Sequence, residues 1–139
     1  MTTPSVDTRI WRALNKRLQS CPTRPAVVID PGEVEGLPTV ANWLVSLIGA
    51  DPVRVFVADD APAERRGTLQ VVHRVRPGDY ATAGLIELGG QIAQHFKAGT
   101  RTKDGPVCVK VVSPPSVGDF FLDKGWVNIP VRIRWETAA

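Results

Sequence analysis

A base, an orienting acid and a nucleophile can all be found in this chain. His73 could act as the base, Asp79 could hold it, and Ser113 or Ser116 could attack an acyl centre. Such a triad is defined by geometry, however, and no nucleophile-elbow, P-loop or HExxH spacing accompanies these residues. His73 falls on the inward side of an alternating stretch, so a packed or hydrogen-bonded imidazole is expected. His95 lies near the end of a helical stretch, where a cationic side chain suits the helix dipole. Cys21 and Cys108 are far apart, without CxxC spacing, and only His73 and His95 could join them as soft ligands. Two unpaired thiols packed as small apolar groups are therefore expected, with no metal. Arg65-Arg66-Gly67 could grip a phosphate, although two arginines at a loop tip are more often simply solvated. The reading is of no catalytic, cofactor-binding or metal residue, and of a protein that is not an enzyme.

The elements around these residues are clearer than any chemistry. Ile10, Trp11, Leu14 and Leu18 recur at helical spacing between Asp7 and Ser20, with Arg9, Arg12, Lys16 and Arg17 on the other faces. Ser5 or Asp7 can cap this helix and Cys21-Pro22 ends it. Ala26 to Ile29 reads as a short strand stopped by Asp30-Pro31-Gly32, and Glu33 to Val40 as a loop. Periodicity does not separate helix from strand over Ala41 to Ala50, but its β-branched and aromatic content favours a strand. Val53, Val55 and Val57 alternate more clearly. Asp59 to Gly67 has no large apolar side chain and is expected to be a mobile hairpin connection that orders on assembly. Thr68 to Val75 alternates, with Leu69, Val71, His73 and Val75 inward.

Pro77-Gly78-Asp79 is a turn whose Asp79 can cap a second helix, Tyr80 to Lys97, with Leu85, Leu88, Ile92 and Phe96 on one face. Gly89-Gly90 in its middle is unfavourable for a helix, and either admits a close neighbour or marks a kink. The last third contains two strand-like runs, Pro106 to Val112 and Val127 to Trp135, around a Ser-Pro-Pro turn. In the second run Val127, Ile129, Val131, Ile133 and Trp135 share one face. Pro130 demotes that strand towards an edge or a bulge, and an edge is where another subunit could add. The order predicts one α+β domain over residues 1–139, with an antiparallel or mixed sheet of about five to six strands and two helices packed on one face.

Composition fits a single globular domain: 139 residues, 43% hydrophobic and 22% charged. No apolar run is long enough to span a bilayer. Met1 to Asp7 lacks the layout of a signal peptide, so a cytoplasmic location is expected. The net charge of +3 is unevenly spread. Residues 30–64 carry seven acids against Arg54 alone, a balance of −6, and the remainder carries sixteen bases and seven acids, a balance of +9. The basic residues are scattered in sequence, without interleaved aromatics, which argues against a single-strand binder. An acidic segment on a basic body suits head-to-tail contacts between subunits. Of the tryptophans, Trp11 is expected in the core and Trp126 near a rim. Trp135 could serve as an intersubunit anchor or as a core residue.

Taken together, several segments carry a resemblance. They are Ile10-Trp11-Arg12-Ala13-Leu14-Asn15-Lys16-Arg17-Leu18, Arg65-Arg66-Gly67-Thr68-Leu69-Gln70-Val71, and Pro77-Gly78-Asp79-Tyr80 before an alanine-rich helix. To these add Val111-Val112-Ser113-Pro114-Pro115-Ser116-Val117-Gly118 and Gly125-Trp126-Val127-Asn128-Ile129-Pro130-Val131. The chain resembles the tail-terminator-like minor tail proteins of tailed, siphovirus-type bacteriophages and prophages, best from Arg65 onward and least over Glu33 to Ala63. The resemblance implies an α+β structural protein without enzymatic activity or cofactor. It implies a homo-oligomeric ring in the assembled tail, commonly a hexamer, that ends the tail tube and joins tail to head, built from a subunit that can be monomeric in isolation. Tail tube protein and head-tail connector proteins would be its partners, and the virion tail, after assembly in the bacterial host cytoplasm, its place. A head-tail connector or neck protein, or a basic nucleic-acid-binding module, is the alternative. The charge split nominates Asp59, Asp60, Glu64, Arg65, Arg66, Arg132 and Arg134 as interface residues, and Trp135 joins them as an aromatic anchor; nucleic acid and membrane are not expected as partners.

Overall fold

The computed structural model describes residues 5–33, 39–54 and 64–138. The first helix, α1, is Val6–Gln19. Ser5 caps it, its hydroxyl accepting from the backbone N–H of Thr8 at 3.2 Å, and Asp7 places negative charge in the first turn. Ile10, Ala13, Leu14 and Leu18 form its buried stripe, while Trp11 is half-buried against the same core.

The strands are β1 (Val27–Ile29), β2 (Asn42–Arg54), β3 (Glu64–Val75), β4 (Arg101–Asp104), β5 (Val107–Val111), β6 (Ser116–Val117), β7 (Phe121–Asp123) and β8 (Trp126–Ala138). They form one mixed sheet in the order β1-β2-β3-β8-β5-β4, with the short β6 and β7 also pairing β8. Only β1 and β2 run parallel; the remaining pairs are antiparallel. The 41–50 stretch is strand, as its β-branched content suggests.

Register makes the faces explicit. Trp43, His73 and Ile129 lie in one row, Val45, Val71 and Val131 in the next, and Leu47, Leu69 and Ile133 in a third. These rows, with Val109, Val111 and Trp135, carry the core beneath α1 and α2 (Thr82–His95). Both helices thus lie on one face. The helices are also tied to each other, because Arg17 Nε donates to the His95 carbonyl at 2.9 Å and His95 Nε2 lies 2.7 Å from the Arg17 carbonyl. Burying Trp43 and Trp135 removes roughly 150–250 Å² each, about 4–6 kcal/mol of transfer at about 25 cal/mol/Å².

Gly89 explains the glycine pair in α2. A Cβ there would sit 2.8 Å from Val117 Cγ1 and 3.1 Å from Ile129 Cγ2, so the missing side chain lets α2 rest on β6 and β8. Gly90 meets nothing within 4 Å and leaves the outer side of the helix low.

Several sequence expectations are corrected. The main run of the sheet has six strands, as expected, and the short β6 and β7 add to it; β4 and β7 fall outside the strands read from the sequence, and β6 lies inside the stretch read as a Ser-Pro-Pro turn. Residues 64–67 belong to β3, Glu64 and Arg65 paired to β2, Gly67 to β8 and Arg66 to both, while 59–63 lie outside the described residues. The second helix is shorter than Tyr80 to Lys97, and its N-cap is Ala81, without a side-chain cap bond from Asp79.

The largest correction concerns Pro130. β8 is central rather than an edge, pairing β3 on one side and β5, β6 and β7 on the other. Proline is tolerated because the N and O of one residue in an antiparallel strand point to the same side. The Pro130 carbonyl accepts from Gly118 at 2.8 Å, so its missing N–H faces the end of β6 and costs β3 no bond. Gly118 fits closely over the ring, since a Cβ there would lie 2.9 Å from Pro130 Cγ.

Candidate functional site

The imagined triad is not assembled. His73 is buried against Trp43 in an edge-on contact at 6.1 Å, and its Nδ1 has no hydrogen-bond partner among the described residues. Burial pushes its pKa down to about 4, so the ring is neutral at ordinary pH. Asp79 and Ser116 are exposed in a turn and a short strand respectively. His95 is structural, joining the two helices: desolvation lowers its pKa, the bond to the Arg17 carbonyl opposes that, and the Arg17 charge adds to the lowering. Cys21 and Cys108 are buried free thiols, and no metal-holding group occurs among the described residues.

Two surfaces remain that could bind a partner. The first is the sheet face opposite the helices. Arg132 and Arg134 are exposed there, with Arg132 Nε donating to Gln70 Oε1 at 3.0 Å. Arg66 shares a row with Glu136, Glu136 with Lys110, and Lys110 with Arg101. Lys103 is exposed two residues along β4, while the alternate residues Thr102 and Asp104 turn to α1, bonding the Ala13 carbonyl and Arg9. A cleft of about 400 Å³ opens at the centre of this face, lined by Arg66, Thr68, Val112, Arg134 and Glu136 among others.

The second surface is apolar. Ile86 on α2, Val117 on β6 and Phe121 and Leu122 on β7 are all exposed, Leu122 by 73%. A groove of about 340 Å³ runs between Ile86 and Val117, lined also by Gly90, Gly118, Asp119 and Phe120; Leu122 stands beyond it on β7, and Phe121, in register with Asn128, faces the other side of that strand. Gly90 keeps the groove open on the helix side. Large exposed side chains gathered on hydrogen-bonded elements mark interaction sites more than singly scattered ones do. The β7 strand is held firmly, because Asn128 Nδ2 donates to the carbonyls of Phe121 at 3.2 Å and Trp126 at 3.1 Å.

Of the eight nominated interface residues, Arg66, Arg132 and Arg134 come together on the open face. Arg65 turns away, pairing with Asp7 at 3.5 Å and donating its backbone N–H to Thr137 Oγ1 at 2.9 Å. Glu64 begins β3 in register with Arg54, and Asp59 and Asp60 lie outside the described residues. Trp135 is 1% exposed and belongs to the core, so it anchors the subunit rather than an interface. Trp126 is not at a rim either: it is buried, with the Arg76 guanidinium 4.0 Å from its ring centroid. Sequence reading missed Arg101, Lys103 and Lys110, which only the strand register brings to the arginines. It also missed the apolar groove, although Phe120-Phe121-Leu122 beside a Gly-Asp turn was a readable signal.

Comparison with known proteins places this geometry. No curated protein matches the chain. A solved structure 20% identical in sequence superposes with a TM-score of 0.76, covering 99% of this chain and 98% of its own, and so has the same fold. The family described as phage tail terminator protein matches residues 9–135. The chain belongs to the phage tail terminator protein family and is a structural component of the phage tail.

Proposed function

We propose that this subunit assembles into a closed ring at the end of the tail tube, where it stops tube growth and joins the tail to the head. Its role is structural and not catalytic. Its partners are further copies of itself, six being the expected number, together with tail tube protein and head-tail connector proteins. The observation that supports this best, beyond family membership, is the exposed apolar groove between Ile86 of α2 and the β6–β7 segment. A groove on one side of a subunit suits a heterologous contact with a different surface on the next, and such contacts close into rings when the rotation allows. Pairing through an edge at β8 is not available, because both sides of that strand are already occupied.

The test is sedimentation mass analysis of the protein alone and with assembled tail tubes, comparing the parent with Leu122→Glu and Ile86→Glu. The parent is expected to form a discrete ring, alone or on the tube end, and the charged variants are expected to remain monomeric and leave tubes uncapped. A parent that stays monomeric and ignores the tube would overturn the ring. Variants that cap as well as the parent would overturn the groove as its contact.

A further inference from the structure

The open sheet face is a basic surface that the sequence conceals. Its cations come from four strands: Arg66 of β3, Arg132 and Arg134 of β8, Lys110 of β5, and Arg101 and Lys103 of β4. The described acid interleaved with them is Glu136, in register between Lys110 and Arg66. At the β2 side, Asp51 pairs in register with Arg66. Five of these six cations are exposed and Lys110 is half-buried. Neither helix covers this face, as both pack on the other side. We propose that this face binds the phosphate backbone of duplex DNA without regard to sequence.

Three observations favour duplex nucleic acid. The sign is right, six cations against two acids in the same rows, Asp51 and Glu136, on a protein of net charge +3. The extent is right too. Four adjacent strands at about 4.8 Å span about 14 Å, and Arg132 to Glu136 spans about 13 Å along β8, enough for roughly four phosphates of one strand at about 3.4 Å each. Finally, no aromatic ring is interleaved with the six cations, whereas a single-strand binder stacks bases on such rings. Phe121, the exposed ring in register with Asn128, lies four residues along β8 from Arg132. Backbone contact through arginine and lysine, with no base readout, is what this composition can do. The inference does not depend on ring formation, since one subunit carries the whole face.

The probe is a fluorescent random-sequence duplex of thirty base pairs or so, titrated with the whole protein and read by anisotropy from 50 to 200 mM salt. About four neutralised phosphates give a slope of log K against log salt of about −3.6, hence roughly a 150-fold loss over that range. Arg132→Glu/Arg134→Glu is expected to weaken binding more than tenfold at low salt and to reduce the slope by about 2. Arg12→Glu/Lys16→Glu on α1 makes the same charge change on the helix side, at exposed positions, and is expected to change affinity less than about threefold. Equal losses in the two variants would reduce the effect to net charge and overturn the site. Tighter binding to a single strand of the same length would overturn the duplex assignment. So would a parent that ignores the duplex at 50 mM salt while the sheet-face variant loses self-association, because the face would then serve an acidic protein surface.

Discussion

Adjacent glycines in α2 offer a direct test of how the helix sits on the sheet. Gly89→Ala and Gly90→Ala change the same helix by the same atom, and each gains about 1 kcal/mol from helix propensity. Their surroundings differ. At Gly89 the new methyl would meet Val117 Cγ1 at 2.8 Å and Ile129 Cγ2 at 3.1 Å, whereas at Gly90 it meets nothing within 4 Å. Ile129 is fully buried and cannot give way, while Val117 is partly exposed on a two-residue strand and can yield somewhat. Overpacking of this kind costs about 1–3 kcal/mol, so Gly89→Ala should come out near-neutral to about 2 kcal/mol destabilised. Gly90→Ala should be stabilised by about 1 kcal/mol. The difference between the two, about 2 kcal/mol, cancels the propensity term and corresponds to several degrees in Tm for a chain of this size. Urea unfolding followed by circular dichroism would measure it under identical conditions. Two variants of equal stability would refute the close approach of α2 to β6 and β8.

Trp135→Ala should cost about 3–5 kcal/mol as a core truncation, whereas Trp11→Ala, which removes a half-buried ring, should cost less, about 2 kcal/mol; equal losses in thermal melts would contradict the assigned faces. His73 has a folded pKa of about 4 against an ordinary value of 6.5, so the unfolded chain binds its proton first as pH falls. Stability should therefore be full above about pH 6.5 and drop by about 3 kcal/mol on going down to pH 4, with His95 acting in the same direction; His73→Gln should flatten that slope, and an unchanged slope in urea titrations would refute the assignment. Arg76→Ala should cost about 1 kcal/mol by uncovering Trp126 and should speed amide exchange in β7; unaltered exchange there would show that the arginine does not hold this end of the sheet.

Legibility in the sequence followed the range of the forces involved. Most of the α1 helix was readable because its stripe and its Pro22 stop are local, although the sequence left the cap between Ser5 and Asp7 and placed the half-buried Trp11 in the core. The same holds for the faces of β3 and β8 at Leu69, Val71, Val131 and Ile133, where a single buried face imposes period two. Position in the sheet was not readable. Pro130 argues for an edge only if its missing N–H would have faced a full neighbouring strand, and here it faces Gly118, where β6 has already stopped. Trp126, Arg74 and Asn128 lie on the alternating face expected outside, yet all are buried. Arg74 donates to Asn42 at 2.7 Å and Asn128 holds β7, so polar pairing rather than apolar content closes that end.

The two candidate surfaces were hidden for opposite reasons. The basic face was dispersed: its residues are spread from position 66 to 134, and only the pairing of β3, β8, β5 and β4 brings them into one patch. The apolar groove was contiguous, since Phe120-Phe121-Leu122 stands beside Val117-Gly118, but exposed apolar residues look like core until the sheet shows what is left for the core to take. The full rows from Trp43 to Ile133 satisfy the helices, and Leu122 has no place in them. An apolar side chain left over after the core is complete is the part of this structure that most needs a partner. It sits on the helix side of the sheet and the cations sit on the other, so a neighbouring protein on the groove and a polyanion on the open face need not compete for the same subunit.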